Sequence, residues 1–446
     1  MGRGRTQVLL AIVALLAVAL AGTGLWLAAD GGSPGRDDGR SASRPADVDV
    51  ETRDDAIRGV LDRRAAAVLE RDRAAFLADV DATDREFLAA QEQLFDNLEQ
   101  VDFASWEYEL IGRDYDRPDL ASEYDRPYHL PAVLLHYAID GFDVAPVARP
   151  QALTFVQRGR RWVVASDTDA DADLPETGHA DPWDRRAVVV REGRRVLVVA
   201  DAQDRDRVRS LVRVADRAVR RVGAMWPDGW RRRVVLVAVR DQQLVETYFR
   251  TALQSSEHVA AIAVPAYDVV PGWSPPAARI EDARNGARSR VILNPRYFDP
   301  ADTGNSDLLT HEVTHVATQS RTWNGAPTWL SEGAAEYTAY RYLRPFEVDL
   351  PRALVREVRA GSVDLPTYDF YQGDVPAHYL AGFLACAYVA DRYGEDTLRR
   401  LYGRLGRTAR EIETLDRQER VFRDLLGVTP ETFSRDLARY VRTVSG

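Results

Sequence analysis

The residues with the clearest chemical potential stand in the pentapeptide His-Glu-Val-Thr-His at positions 311–315. Because an α-helix completes a turn about every 3.6 residues, His311 and His315 face the same side of a helix. Two imidazoles in that arrangement can share one Zn²⁺ ion. Glu312 lies beside them, where a carboxylate can take a proton from a metal-bound water. The sequence therefore predicts a zinc hydrolase site on a helix.

A third metal ligand is predicted from residues 327–337, PTWLSEGAAEY. A catalytic zinc site uses three protein ligands and keeps a further position open for water. Sixteen residues separate His315 from Glu332, enough for one helix to end and another to begin, with Pro327 in its first turn. Glu332 and Glu336 share a helix face. We predict Glu332 as the third ligand and Glu336 as the acceptor that orients a ligating histidine.

These motifs resemble the gluzincin metallopeptidases. The WLSEGAAEY run is most similar to the aminopeptidase-N type and to the small bacterial peptidase MA-like domains. The resemblance implies an α/β lobe followed by a mostly helical lobe. It also implies that His311, His315 and Glu332 hold Zn²⁺, that Glu336 contacts a ligand, and that Glu312 acts as the general base of peptide hydrolysis.

A second block, HYLAGF at residues 378–383, is similar to a helix that follows the zinc helices in the peptidase MA-like domains. Hydrolysis needs a donor for the developing oxyanion, and we predict Tyr379 for that role, with His378 as the second candidate. A purely packing role for Tyr379 is the alternative. In gluzincins an edge strand before the zinc helix pairs with the substrate backbone, and residues 290–294 are predicted as its counterpart.

The N-terminus carries an apolar segment of 22 uncharged residues, Val8 to Ala29. A helix of that length spans roughly 33 Å, about one hydrocarbon core. Arg3 and Arg5 precede it, which predicts a cytoplasmic N-terminus and an extracytoplasmic remainder. A single-pass anchor in the cell membrane and a signal peptide cleaved after Ala19-Leu20-Ala21, with secretion, both stay open.

Composition excludes some classes of protein. Charged residues make up 29% of the chain and the net charge is −10, which argues against a nucleic-acid-binding protein. Cys386 is the only cysteine, so an intrachain disulfide is excluded, and we predict it as a small buried hydrophobe. No motif indicates an oligomeric state. Structural or solvated roles are predicted for four further histidines: His129, His136, His179 and His258.

The predicted fold class is a multidomain α+β protein. Residues 1–29 form the anchor or signal segment, and residues 30–50 form a flexible linker rich in Gly, Ser and Asp. A small α+β domain follows at residues 51–168 and an acidic linker at 169–184. The metallopeptidase-like unit takes up residues 185–446.

The small domain begins with helical periodicity from Asp54 to Val80 and an amphipathic stretch to Asn97. Strands are predicted in four segments: residues 106–111, 132–139, 153–157 and 162–165. Helices followed by a curved, cone-like antiparallel sheet resemble the nuclear transport factor 2-like fold. No catalytic constellation lies in this domain, so a spacer or partner-binding module is predicted.

In the metallopeptidase-like unit, five strands are predicted: residues 187–190, 195–200, 234–239, 259–264 and 289–293. Amphipathic periodicity predicts five helices besides the zinc helices: residues 202–225, 242–253, 391–405, 409–426 and 430–444.

The function predicted from the sequence is that of a membrane-tethered, extracytoplasmic zinc metallopeptidase acting on a peptide or protein substrate. The alternative is a non-enzymatic envelope protein whose zinc site is structural or vestigial and which binds a partner. The presence of Glu312 argues against that alternative, since a purely structural site has no use for a general base. A fourth protein ligand would favour it.

Overall fold

The computed structural model describes eleven segments: residues 50–115, 117–143, 146–169, 181–252, 260–264, 290–296, 306–322, 326–343, 349–366, 369–406 and 415–445. The predicted apolar segment at residues 8–29, His179 and His258 lie outside the described residues. The predicted linker at residues 30–50 also lies outside them, except for Val50, which begins the first helix. Across the described segments, no helix combines the length and the apolar character needed to cross a membrane.

Four helices lie in the N-terminal region: α1 (Val50–Glu70), α2 (Arg73–Ala78), α3 (Arg85–Leu98) and α4 (Leu120–Tyr124). The helical periodicity predicted from Asp54 to Val80 corresponds to two helices, because the chain turns between α1 and α2. Arg71 adopts a left-handed φ of 58° there. Asp72 then starts α2 by accepting a hydrogen bond from the Ala75 N–H at 2.9 Å.

Six strands follow in this region: β1 (Phe103–Asp114), β2 (Tyr128–His129), β3 (Pro131–Ile139), β4 (Val147–Ala152), β5 (Thr154–Arg158) and β6 (Arg161–Ser166). They form two antiparallel sheets with the orders β1-β3-β4 and β2-β5-β6, where one curved sheet is predicted. β4 was not predicted, because it contains Arg149 and Pro150. The resemblance to the nuclear transport factor 2-like fold stays a prediction.

Five strands form one mixed sheet in the order β10-β11-β9-β8-β7: β7 (Val188–Glu192), β8 (Val196–Asp201), β9 (Val234–Ala238), β10 (Ala261–Val264) and β11 (Arg290–Leu293). β8, β9 and β11 run parallel, and the outer strands β7 and β10 are antiparallel to their neighbours. The predicted edge strand at residues 290–294 is wrong, because β11 is hydrogen-bonded on both sides. β10, which precedes β11 in the chain, is the outer strand of the described sheet.

Ten helices accompany this sheet or follow it: α5 (Pro182–Arg185), α6 (Arg205–Met225), α7 (Gln242–Ala252), α8 (Ser306–Thr322), α9 (Thr328–Tyr340), α10 (Arg352–Ala360), α11 (Val375–Tyr393), α12 (Glu395–Gly406), α13 (Leu415–Leu426) and α14 (Pro430–Val444). The predicted helix at residues 391–405 is interrupted at Gly394, whose φ of 87° ends α11. The mixed α+β class is confirmed. α6 and α8 pack against each other on one face of the sheet, and the N-terminal region covers the opposite face.

The N-terminal region and the five-stranded sheet share one hydrophobic cluster. Phe76 and Trp106 from the first belong to the same buried cluster as Val188, Val199 and Val235 from the second. Side-chain amides reinforce this contact. Asn97 on α3 donates to the carbonyl oxygen of Trp183 at 2.8 Å and accepts from the Val188 N–H at 3.0 Å. The described parts of both regions therefore pack as one body, while the predicted boundary at residues 169–184 stays a prediction.

Candidate metal centre

The histidine pair lies on the buried face of α8. His311 and His315 are 3% and 2% exposed, and their Nε2 atoms are 3.1 Å apart. Val313 and Ala317 lie in the hydrophobic core that holds α8 in place. Both imidazoles therefore point their Nε2 atoms toward one place between α8 and α9.

Glu332 on α9 completes a three-residue group. Its Oε2 atom lies 3.3 Å from His311 Nε2 and 3.5 Å from His315 Nε2. The three ligand atoms all fall within 4.8 Å of one another, and all three residues are buried. Burial by itself would raise the pKa of Glu332, but His315 and His311 outweigh it and lower that pKa to about 2. Glu332 therefore offers an anionic carboxylate to a metal ion.

Unpartnered oxygens at this centre test whether a cation fits. Both carboxylate oxygens of Glu312 and the Oε2 atom of Glu332 are buried without a hydrogen-bond donor among the described residues. Buried carboxylate oxygens normally have such a donor, and a positive ion supplies the same compensation. A divalent ion between His311, His315 and Glu332 thus fits the donor set and the unpartnered oxygens.

Glu312 is completely buried next to this group. Burial raises its pKa to about 8, with an opposing effect from His311 and a further upward one from Glu332 and Glu336. A dication beside Glu312 would act in the opposite direction and favour the carboxylate. The pKa of Glu312 therefore depends on whether a cation lies beside it.

Glu336 lies behind His311. Its Oε1 atom is 3.0 Å from His311 Nδ1, one helical turn after Glu332 on α9. A carboxylate in this place fixes the orientation of a ligating imidazole and raises its basicity. Burial alone would lower the pKa of His311, but Glu332 and Glu336 outweigh it and raise that pKa well above its ordinary value.

His315 has a different neighbour, which sequence reasoning missed. Ser331 Oγ lies 3.5 Å from His315 Nδ1 and 3.5 Å from the hydroxyl oxygen of Tyr402. Tyr402 in turn donates to Thr318 Oγ1 at 3.0 Å. No sequence spacing connects α12, which carries Tyr402, to the zinc motif. The two histidines are thus backed by a carboxylate on one side and by hydroxyl groups on the other.

Close packing of α9 on α11 brings Tyr379 to the site. A Cβ atom on Gly333 would lie 2.3 Å from the carbonyl oxygen of Gly382, so only glycine allows this crossing. Tyr379 is 3% exposed, and its ring centroid lies 6.4 Å from that of His311. Burial, together with the neighbouring carboxylates of which Glu332 is the strongest, raises the pKa of Tyr379 well above its ordinary value. Tyr379 is therefore a neutral hydroxyl that can donate.

The second oxyanion candidate, His378, is directed elsewhere. Its Nδ1 atom donates to the carbonyl oxygen of Phe370 at 2.7 Å, so the ring is held by the segment before α11. That same segment contains Tyr371, which sequence reasoning also missed. Tyr371 donates its hydroxyl hydrogen to Glu332 Oε1 at 3.1 Å. No motif around Tyr371 distinguishes it from an ordinary loop tyrosine.

The remaining described histidines lie in the N-terminal region, away from this centre. His136 Nε2 is 2.8 Å from Glu109 Oε2, and His129 Nε2 is 3.4 Å from Asp114 Oδ1. Burial lowers the pKa of His129 against the opposing effect of Asp114. His136 thus lies beside one carboxylate, whereas His129 lies beside two, since its Nε2 atom is also 3.8 Å from Asp54 Oδ1. Both histidines are buried, and their structural role stays a prediction.

No protein-family model matches the chain, and no curated protein matches it.

Proposed function

We propose that this chain is a zinc metallopeptidase that hydrolyses peptide bonds outside the cytoplasm and is tethered to the membrane by its N-terminal segment. One observation carries the proposal. A buried group of two imidazoles and one carboxylate, His311, His315 and Glu332, lies beside a second carboxylate, Glu312, that has no hydrogen-bond donor among the described residues. A structural site needs the first group, while a hydrolytic site needs both.

The ligand set supports zinc as the metal. Two neutral imidazoles and one carboxylate are a common set in catalytic zinc sites, which leave a further position for water. When bound, Zn²⁺ would lower the pKa of a coordinated water and polarise the scissile carbonyl group. His311 and His315 would bind through Nε2, and Glu332 through Oε2.

The protein's own groups would then handle the protons. Glu312 would accept a proton from the attacking water at a carboxylate oxygen and pass it to the nitrogen of the leaving amine. Tyr379 would donate its hydroxyl hydrogen to the oxyanion that develops on the scissile carbonyl. Glu336 would keep His311 in the orientation that presents Nε2.

The edge of the five-stranded sheet supports a peptide as the substrate. β10 is an outer strand of the described sheet, and α8 packs against it. An extended peptide would add to β10 by main-chain hydrogen bonds, which are indifferent to the substrate's side chains. Such pairing would serve endopeptidase cleavage. The sequence also lacks the G-x-M-E-N segment that aminopeptidases use for a free amine.

The alternative, a structural or vestigial zinc site, needs a fourth ligand or an idle Glu312. Within the described segments the group of candidate ligands contains three residues. Three ligands leave a position for water, which favours hydrolysis over a closed structural site.

The Glu312→Gln variant tests the proposal. The full chain, purified in detergent, is incubated with an unfolded protein substrate, and the products are identified by mass spectrometry. We expect a loss of roughly 10²–10⁴-fold in hydrolysis rate, with an unchanged metal content. Glu419→Gln on α13 is the matched control, because it makes the same chemical change at a partly exposed carboxylate paired with Arg423. Undiminished hydrolysis in Glu312→Gln would exclude Glu312 as the base.

A further inference from the structure

The two carboxylate oxygens of Glu332 have different surroundings. Oε2 faces both histidine Nε2 atoms, at 3.3 and 3.5 Å, and has no hydrogen-bond donor among the described residues. Oε1 accepts a hydrogen bond from the Tyr371 hydroxyl at 3.1 Å. Glu332 has no exposed surface. One oxygen is thus directed at the metal position, and the other is held by a tyrosine.

We infer that Tyr371 is a positioning residue, which holds Glu332 so that it binds the metal through one oxygen only. The inference rests on the metal-binding part of the proposed function. A carboxylate that coordinates through both oxygens takes up the position that a catalytic zinc site leaves for water. A hydrogen bond to Oε1 favours coordination through Oε2 alone. Tyr371 would therefore protect the open position as well as the ligand geometry.

The place of Tyr371 in the fold suits this role. The residue lies in the short segment between α10 and α11, directly after Phe370, which is fully buried. The ring of Phe370 makes edge contacts with Tyr371 and Tyr379, at centroid distances of 5.2 and 5.0 Å. The two tyrosines are thus held by one anchor. Tyr371 is directed at the ligand Glu332, whereas Tyr379 lies beside the His311 ring.

Loss of this hydrogen bond has a defined consequence. Outer-shell partners of metal ligands typically contribute about 10–100-fold to metal affinity. In Tyr371→Phe the ring and its contact with Phe370 remain, while Oε1 becomes a buried acceptor without a donor. We expect the Glu332 carboxylate to turn so that both oxygens approach the metal, which raises the coordination number. Binding becomes weaker because the hydrogen bond that orients the ligand is lost.

The test measures the metal and not the hydrolysis. Metal-free full-length wild type and Tyr371→Phe are titrated with Zn²⁺ in competition with a chelator of known affinity, and the Co²⁺-substituted forms are compared by visible absorption. We expect Tyr371→Phe to raise the Zn²⁺ Kd at least about tenfold and to weaken the Co²⁺ absorption, as a four-coordinate ion gains a ligand. The melting temperature of the metal-free proteins should be equal.

Tyr440→Phe is the matched control, because its hydroxyl donates to another carboxylate, Asp391, at 2.6 Å on the protein surface. This control should bind Zn²⁺ as the wild type does. If Tyr371→Phe binds Zn²⁺ within twofold of the wild type with the same Co²⁺ spectrum, the inference fails while the proposed function stands. If the wild type itself binds no Zn²⁺, the proposed function fails first. A phenolate-to-metal charge-transfer band in the Cu²⁺ form would also overturn the inference, since Tyr371 would then be a ligand.

Discussion

Two buried polar clusters among the described residues differ in whether their carboxylates have hydrogen-bond donors. The metal-centre cluster consists of His311, Glu312, His315 and Glu332. The interface cluster joins the N-terminal region to the five-stranded sheet and consists of Tyr137, Asp143, Arg149, Asp181, Asp184, Tyr248 and Arg290. Their side chains are buried except that of Asp184, which is partly exposed. The two clusters differ in the hydrogen-bond donors that surround each carboxylate.

In the interface cluster every carboxylate has donors. Asp143 accepts from Arg290 at 2.5 and 2.9 Å and from the Ile139 N–H at 2.8 Å. Asp181 accepts from the hydroxyl groups of Tyr137 and Tyr248 at 2.7 and 3.1 Å, and Asp184 accepts from Arg149 at 2.8 Å. Burial alone would lower the pKa of Arg149, but Asp181 and Asp184 outweigh it and keep it charged. Its carboxylates therefore all have partners, although the Nε atom of Arg149 makes no hydrogen bond with the described residues.

In the metal-centre cluster Glu312 has no donor on either oxygen among the described residues, and Glu332 has none on Oε2. A protein retains such groups at a cost to its stability, because a buried carboxylate without a partner is unfavourable. Burial of charged groups therefore does not by itself mark a functional site. The distinguishing feature is a set of acceptors that converge on one place and stay unpartnered.

The largest expected effect comes from breaking the interface cluster. Replacing Arg290 with Met leaves Asp143 buried without its countercharge, so the free energy of unfolding in urea should fall by about 3–5 kcal/mol. Adding Asp143→Asn removes the negative charge and keeps an oxygen for the Ile139 N–H. The double variant should regain most of the loss. A single variant as stable as the wild type would show that this pair does not hold the two regions together.

Separating α9 from α11 should have an intermediate effect. Gly333→Ala places a Cβ atom 2.3 Å from the Gly382 carbonyl oxygen, so the helices must move apart. We expect a loss of about 1–3 kcal/mol in the free energy of unfolding, measured in urea, together with weaker metal binding. Gly403→Ala on α12 is the control, because its Cβ meets no atom within 4 Å. That change should stabilise the protein by about 0.5–1 kcal/mol.

The smallest effect is predicted for the stability of Glu312→Gln in the metal-free protein. Glu312 is a buried carboxylate with a raised pKa and no hydrogen bond to the described residues, so its replacement by a neutral amide removes an unfavourable group and should raise the free energy of unfolding at pH 7 by about 1 kcal/mol. Asp184→Asn makes the same chemical change in the interface cluster and should cost about 1–3 kcal/mol, because it weakens the contact with Arg149. Equal losses in the two variants would remove the distinction between the clusters.

Much of the metal centre could be predicted from sequence because it depends on helical spacing. His311 and His315 are one turn apart on α8, and Glu332 and Glu336 are one turn apart on α9. Local periodicity fixes which side chains share a face. The boundaries of α14 were also predicted, at Pro430 and Val444, because proline suits a helix start.

What could not be predicted depends on contacts between distant segments. Tyr371 and Tyr402 reach the site from a loop and from α12, and no spacing relates either of them to the zinc motif. The order of the sheet is a similar case. β10 and β11 were both predicted as strands, but their order in the sheet depends on which of them pairs with β9, and no local pattern shows this. Arg290 and Asp143 meet across 147 residues, which no local pattern reveals.

The proposal that His311, His315 and Glu332 hold a catalytic zinc ion is tested by the metal content of the purified full-length chain. The protein would be dialysed against a weak chelator and analysed by inductively coupled plasma mass spectrometry. We predict one zinc ion per chain in the wild type and in Glu312→Gln, and none in Glu332→Gln. A wild type that retains no divalent ion, or a Glu332→Gln variant that retains as much as the wild type, would contradict the account.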